Sequence, residues 1–250
     1  MKFWIRSYSI SVNTPDWPTL KARLTQRFAE GRGFAIATLN MDHLVKLETS
    51  AVFQHAYNDH DIVVADGNPI VWMSHLASNP VELLPGSDLI FPIARLCAEL
   101  DMPIGLIGSR EASLNRAAMA LREAVPNLKI VYQSAPTMGF NPSGPEAESI
   151  LKAAQGSGAR LCFLALGAPK QEVFAAYGRN MLPRMGFASI GAGLDFLSGD
   201  QQRAPLWVRK IAMEWLWRML SNPGRMLGRY LRGFVVLPGH MIRSVVKSQD

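Results

Sequence analysis

The sequence predicts an α/β fold: a mainly parallel sheet covered by helices on both faces, with a basic helical appendage at its carboxyl end. Three observations predict it. Short apolar runs alternate with segments of helical period along the body, the rhythm of strand–helix–strand units. The runs are nearly continuous in apolar residues, as strands buried on both faces must be. Charge is segregated: residues 1–202 hold 17 Lys and Arg against 18 Asp and Glu, whereas residues 203–250 hold nine against two.

The elements follow in order. MKFWIRSYSISV alternates as a strand does, and the arginine inside its apolar stretch is unlike a signal peptide. FAIATL at 34–39 reads as a strand, with a helix from Asp42; IVVA at 62–65 reads as the next strand, with a helix over 69–77. Residues 87–100 have helical period, then PIGLIG is a strand and 111–125 a helix. KIVYQ, a helix over 144–155, RLCFLAL, a helix over 170–181 and FASIGAG complete a Rossmann-like body. We expect an α/β catalytic domain over residues 1–196 and an amphipathic, membrane-associating appendage over 197–250.

A chain of 250 residues, 48% hydrophobic and 18% charged, can bury one sizeable core and is not disordered. Cys97 and Cys162 lie in apolar segments without metal or redox spacing, so they read as small buried hydrophobes of a reducing compartment. No window reaches the roughly 18 uninterrupted apolar residues of a membrane span. GFVVLPGHMI from Gly233 is short and broken by Pro238. Cytoplasmic residence is expected.

In parallel α/β sheets, ligands lie beyond the carboxyl ends of the strands. After FAIATL come Asn40 and Asp42, with Thr38 just before the exit; after IVVA come Asp66, Gly67 and Asn68. After PIGLI come Gly108 and Ser109. Gly167, Ala168, Pro169, Lys170, Gln171 and Glu172 follow RLCFLAL, and Gly191, Gly193 and Asp195 follow FASI. Asp-Gly alone is also an ordinary turn pair. Five such exits together predict a crevice that brings a ligand close to backbone, as a nucleotide phosphate requires.

Several chemistries lack their signatures. No GxGxxG, GxxxxGK[ST] or GxSxG occurs. The histidines, at 43, 55, 60, 75 and 240, show no ligand spacing beside a carboxylate, so they read as ordinary surface or core. Asp59-His60-Asp61 matches the DxD of metal-dependent sugar transferases but falls at the amino end of its strand, away from the crevice; no metal ligand and no cofactor is assigned. Acid–base or electrostatic chemistry by Asp66, Thr38, Asn40 and Gln171 remains. Of these only a carboxylate can take a proton from a hydroxyl.

In the tail, Trp207, Ile211, Trp215 and Met219 recur at helical spacing among Arg209, Lys210, Arg218, Arg225, Arg229 and Arg232. Two readings stand: a core-packing helix with a solvated basic face, or an amphipathic segment on anionic lipid.

Taken in order, ATLNMDHL, VVADGNPIVW, PGSDL, LALGAPKQE, GAGLDFLSGDQQRAPLWVRK and EWLWRMLSNPGRMLGRY resemble the WecG/TagA/CpsF family of bacterial glycosyltransferases, from about Asn13 to Tyr230. The resemblance implies metal-independent, inverting transfer of a sugar from a UDP-sugar donor to a polyprenyl-diphosphate-linked acceptor at the cytoplasmic membrane face, in cell-surface polysaccharide biosynthesis. N-acetylmannosamine, its uronic acid and glucose all fit as the sugar. The resemblance makes Asp66 the general base, with Thr38, Gln171 and Asn40 at the substrates. Asp88, Gly108, Gly167, Pro169, Glu172 and Gly191 are expected to line the substrates' cleft, and the tail to complete it and associate with the anionic inner membrane surface. One position departs: many members have an arginine where this chain has Leu83. Arg203, Arg218 and Arg225 are candidates to neutralise the diphosphate in its place. The rival reading is a non-catalytic nucleotide- or nucleic-acid-binding protein that uses the tail. The tail has no nucleic-acid-binding motif, so no nucleic-acid partner is assigned. A homo-oligomer is compatible with the sequence but not encoded legibly in it.

Overall fold

The structure, a computed structural model, describes residues 1–5 and 8–221 together with Gly224, Gly228, Pro238 and Gly239. The chain opens on a hairpin, β1 (Lys2–Ile5) and β2 (Tyr8–Ser11), paired antiparallel with Lys2 opposite Ser11. It forms its own two-stranded sheet. The alternation read as a strand is therefore carried by two strands, which turn Phe3, Ile5 and Ile10 inward.

The body then alternates as expected: α1 (Trp17–Ala29), β3 (Phe34–Leu39), α2 (Met41–Thr49), α3 (Ala51–Asn58), β4 (Ile62–Ala65), α4 (Asn68–Leu76), α5 (Gly86–Glu99), β5 (Ile104–Gly108) and α6 (Glu111–Ala124). β6 (Ile130–Ser134), α7 (Pro145–Gly156), β7 (Leu161–Ala165), α8 (Lys170–Met181), β8 (Gly186–Ser189), α9 (Gly193–Leu197), α10 (Leu206–Lys210) and α11 (Glu214–Ser221) follow. The helical stretch after β3 is divided at Ser50. That residue is extended and ends α2, while its hydroxyl accepts from the Phe53 N–H to start α3.

The six strands β3 to β8 form one sheet in the order β4-β3-β8-β7-β5-β6, every pair parallel. One face carries Phe34, Ile36, Ile62, Val64, Ile104 and Leu106 against α1, α5 and α6. On the other face, the hairpin, α2, α3 and α4 cover one half and α7 and α8 the other. β5 leads to β6 on one side and β7 to β8 on the opposite side, which opens a crevice beyond their carboxyl ends.

At the amino edge, Asp61 ties the two faces together. Its carboxylate accepts from Arg27 of α1 at 2.9 Å, from Arg179 of α8 at 3.0 Å and from the Ala35 N–H at 3.0 Å. These partners outweigh the cost of burial and hold its carboxyl below the usual range. The DxD-like stretch is thus a structural clamp.

Beyond β8 the chain stays bound to the body. Asp195 accepts from Ser109 at 2.5 Å and from Gln201 at 2.8 Å; Asp200 accepts from Arg116 at 2.6 Å and from Ser113. Ala204 and Val208 are buried. The tail's helical spacing does not run through one rod, because α10 ends where Ala212 adopts φ of 61°. Trp207 and Ile211, on the α10 side of that break, are 65% and 59% exposed, so neither packs in the core. No helix among the described residues is long and apolar enough to cross a membrane.

Candidate functional site

Parallel register brings the first two site residues together. Leu39 pairs with Ala65, so the next residues, Asn40 and Asp66, leave adjacent strands side by side. The Asp66 N–H donates to the Leu39 carbonyl at 2.8 Å, and the Asn40 amide lies 3.4 Å from an Asp66 carboxylate oxygen. The same Asn40 side chain accepts from the His43 N–H at 3.0 Å and so caps α2. One end of the amide fixes a helix; the other faces the carboxylate. Asp66 is partly exposed, with a route to solvent. Thr38 is buried in β3 opposite Val64, on the face shared with Ile36.

A second group is built on the first turn of α8. The Gly191 N–H donates to Gln171 Oε1 at 3.1 Å, and Gln171 Nε2 donates to Glu172 Oε1 at 2.7 Å. Gly191, at φ of 59°, turns the chain out of β8 with nothing within 4 Å of the position a Cβ would take. Glu172 is fully buried, 3.7 Å from His43 Nε2, while His43 Nδ1 lies 2.5 Å from the Tyr57 hydroxyl. Burial pushes the Glu172 carboxyl up to about 7, against the opposing hydrogen bond from Gln171.

Three of the expected site residues have structural roles of their own in these placements. Glu172, expected at the substrate, lies behind the site and presents no surface to a ligand. Gln171 is itself buried, with each end of its amide engaged, so it shapes the Gly191 turn. Gly108, also expected at the substrate, answers a packing need: a Cβ there would stand 2.4 Å from the Ala165 carbonyl oxygen. Gly167 and Pro169 do lie at the edge, between β7 and α8, with the Ala168–Pro169 peptide cis.

The third group enters from α5 and the tail. Asp88, in the first turn of α5, accepts a hydrogen bond from Arg203 and lies 3.7 Å from Arg209. Burial works to lower the Arg203 pKa, but the Asp88 hydrogen bond and the charges of Asp88, Glu214 and Asp66 raise it on balance. The guanidinium also lies 5.9 Å from the Phe196 ring centre. Arg218 falls on α11, its side chain outside the described residues, and Arg225 lies outside them altogether.

Leu83 forms a parallel bridge to Ala65, one residue before Asp66, and is 40% exposed. A hollow lined by Val71, His75, Val81 and Leu83 begins beside it. Another, lined by Arg160, Arg184 and Met185, lies at the amino ends of β7 and β8, the wrong edge for this chemistry. Among the described residues no three His, Cys, Asp or Glu side chains gather as a metal site.

The sequence reading missed His43, Tyr57 and Lys46. Lys46 pairs with Asp42 at 2.5 Å and reaches the Ala168 carbonyl at 3.1 Å, joining α2 to the loop before α8. The signal for it was the i, i+4 spacing of Asp42 and Lys46. A partly exposed carboxylate and an adjacent amide stand together at the carboxyl edge of a parallel sheet, an arrangement able to accept a proton. The model of the Glycosyl transferase WecG/TagA/CpsF family matches residues 5–250. With that match running through nearly the whole chain, the protein belongs to the WecG/TagA/CpsF family of glycosyl transferases.

Proposed function

We propose that the protein transfers a sugar from a UDP-sugar to a polyprenyl-diphosphate-linked saccharide, with inversion at the anomeric carbon and without a metal. Asp66 takes the proton of the acceptor hydroxyl as that oxygen attacks the anomeric carbon. The bond from that carbon to the diphosphate oxygen breaks on the opposite face, and the nucleoside diphosphate leaves with the electron pair. Asn40 orients the carboxylate, and Arg203 neutralises charge that develops on the leaving group. Thr38 and the Gly191 and Gly167 turns shape the floor against which the sugars lie.

The observation that carries this reading is the meeting of Asp66 with Asn40 at 3.4 Å on the carboxyl edge of the sheet. The tail bears exposed Trp207 and Ile211 among basic residues, which supports peripheral attachment to the anionic inner face of the membrane. The deciding experiment is Asp66→Asn, assayed with UDP-sugars and a synthetic lipid-diphosphate monosaccharide. UDP binding persists and transfer falls by about 10²-fold or more; wild-type turnover would place the base elsewhere.

A further inference from the structure

Glu172 is an expensive residue to keep. It is fully buried, and its Oε2 has no hydrogen-bond partner among the described residues. An unpaired buried polar atom is destabilising, and an apolar side chain of similar size avoids that cost. The groups facing it come from three elements: His43, Asp42 and Lys46 from α2, Tyr57 from α3 and Gln171 from its own helix. Burial holds the Tyr57 hydroxyl far above its ordinary pKa, so it stays protonated and can donate to His43 Nδ1. The His43 Nε2–H is then left to face Glu172 at 3.7 Å.

The contacts continue outward on both sides. Through Gln171, Glu172 reaches the N–H of Gly191; through His43, it reaches the backbone that Asn40 caps, and Asn40 meets Asp66. We propose that Glu172 and His43 form a buried positioning pair that locks α8 to α2, setting the Asn40 amide against Asp66 and the Gly191 turn against the crevice. Neither residue touches substrate. The pair deepens the sugar-transfer reading and rests on it for its consequence in turnover, but its structural part stands alone. Burial raises the Glu172 carboxyl to about 7.

The test uses the full chain with Glu172→Gln, which keeps the Gln171 contact, and Glu172→Leu, which removes it. The first readout is hydrogen–deuterium exchange at the Gly191 and His43 amides, with the core amide of Leu20 as control. Glu172→Leu accelerates exchange at both amides by at least about tenfold while Leu20 stays protected. The second readout is turnover: kcat falls about 10- to 100-fold in Glu172→Leu with KM for the UDP-sugar within about twofold. Glu172→Gln exchanges as wild type does and recovers most of the turnover, but without any pH step near 7. Unchanged exchange at both amides in Glu172→Leu overturns the pair, whatever happens to activity. Faster exchange in Glu172→Leu, combined with full turnover in Asp66→Asn, keeps the pair and sinks the transfer reading instead.

Discussion

Asn40 and Asp66 leave neighbouring parallel strands in register, and the amide of one sits 3.4 Å from the carboxylate of the other. Asn40 therefore has two separable duties, and two variants pull them apart. Asn40→Ala removes both the α2 cap and the amide, and loses about 1 kcal/mol of stability together with turnover. Asn40→Asp keeps a good cap but sets a second carboxylate beside Asp66. Its thermal midpoint stays near wild type while turnover falls by about tenfold or more. Calorimetry and a transfer assay on the two proteins check this.

Arg203 is held by Asp88 through a hydrogen-bonded ion pair. Arg203→Ala is expected to lower kcat by about 10²-fold, with a smaller fall for Arg203→Lys, which keeps charge but loses the planar fork. Asp88→Asn weakens the hold on Arg203, so its kcat falls less than that of Arg203→Ala. A loss confined to thermal stability in all three would remove Arg203 from the leaving-group role.

Leu83 stands beside Ala65 and is 40% exposed, so a longer side chain fits there without disturbing the core. Leu83→Arg adds a guanidinium next to the carboxyl edge of β4. The variant is expected to fold normally and to bind UDP several-fold more tightly at low salt, the gain shrinking as ionic strength rises. Titration calorimetry at two salt concentrations measures it.

Two buried groups give stability opposite pH slopes. Burial lowers the His60 pKa from 6.5 to about 4 and leaves its Nε2 unpartnered among the described residues. The unfolded chain therefore takes up the proton first, and stability falls as pH drops from 6.5 towards 4. Glu172 is raised from 4.5 to about 7, so the folded chain holds its proton longer and stability falls as pH climbs from 4.5 towards 7. Urea unfolding across pH 4 to 8 is expected to show a shallower acid loss in His60→Gln and no neutral-side loss in Glu172→Gln.

The sheet was legible because strands buried on both faces must be apolar throughout; FAIATL and IVVA form β3 and β4 with the residues the sequence suggests. Asp66 and Asn40 were legible for a related reason, since carboxyl ends gather whatever follows each run. α1 was not read, although Asp16 caps it and Leu20, Leu24 and Phe28 mark its buried stripe at i, i+4, i+8. Gln171 and Glu172 look like exposed site residues in sequence, yet both are buried at the start of α8 and bonded to each other. Nothing local reveals that Glu172 meets His43, because that partner arrives from a different strand–helix unit. The break at Ala212 was hidden too, since alanine is a strong helix former and its positive φ is set by the surrounding chain.

Asp61 grips one helix from each layer beneath the amino ends of the strands. With the layers pinned there, any relative tilt has its pivot at that end and its greatest amplitude at the far end, where Asp66 and the Gly191 turn lie. A few degrees of rocking would widen the mouth for a bulky lipid-linked sugar while leaving the base of the sandwich undisturbed. Loosening the pin by Asp61→Asn would then move the fulcrum, and the entrance would lose its leverage before the core lost its packing.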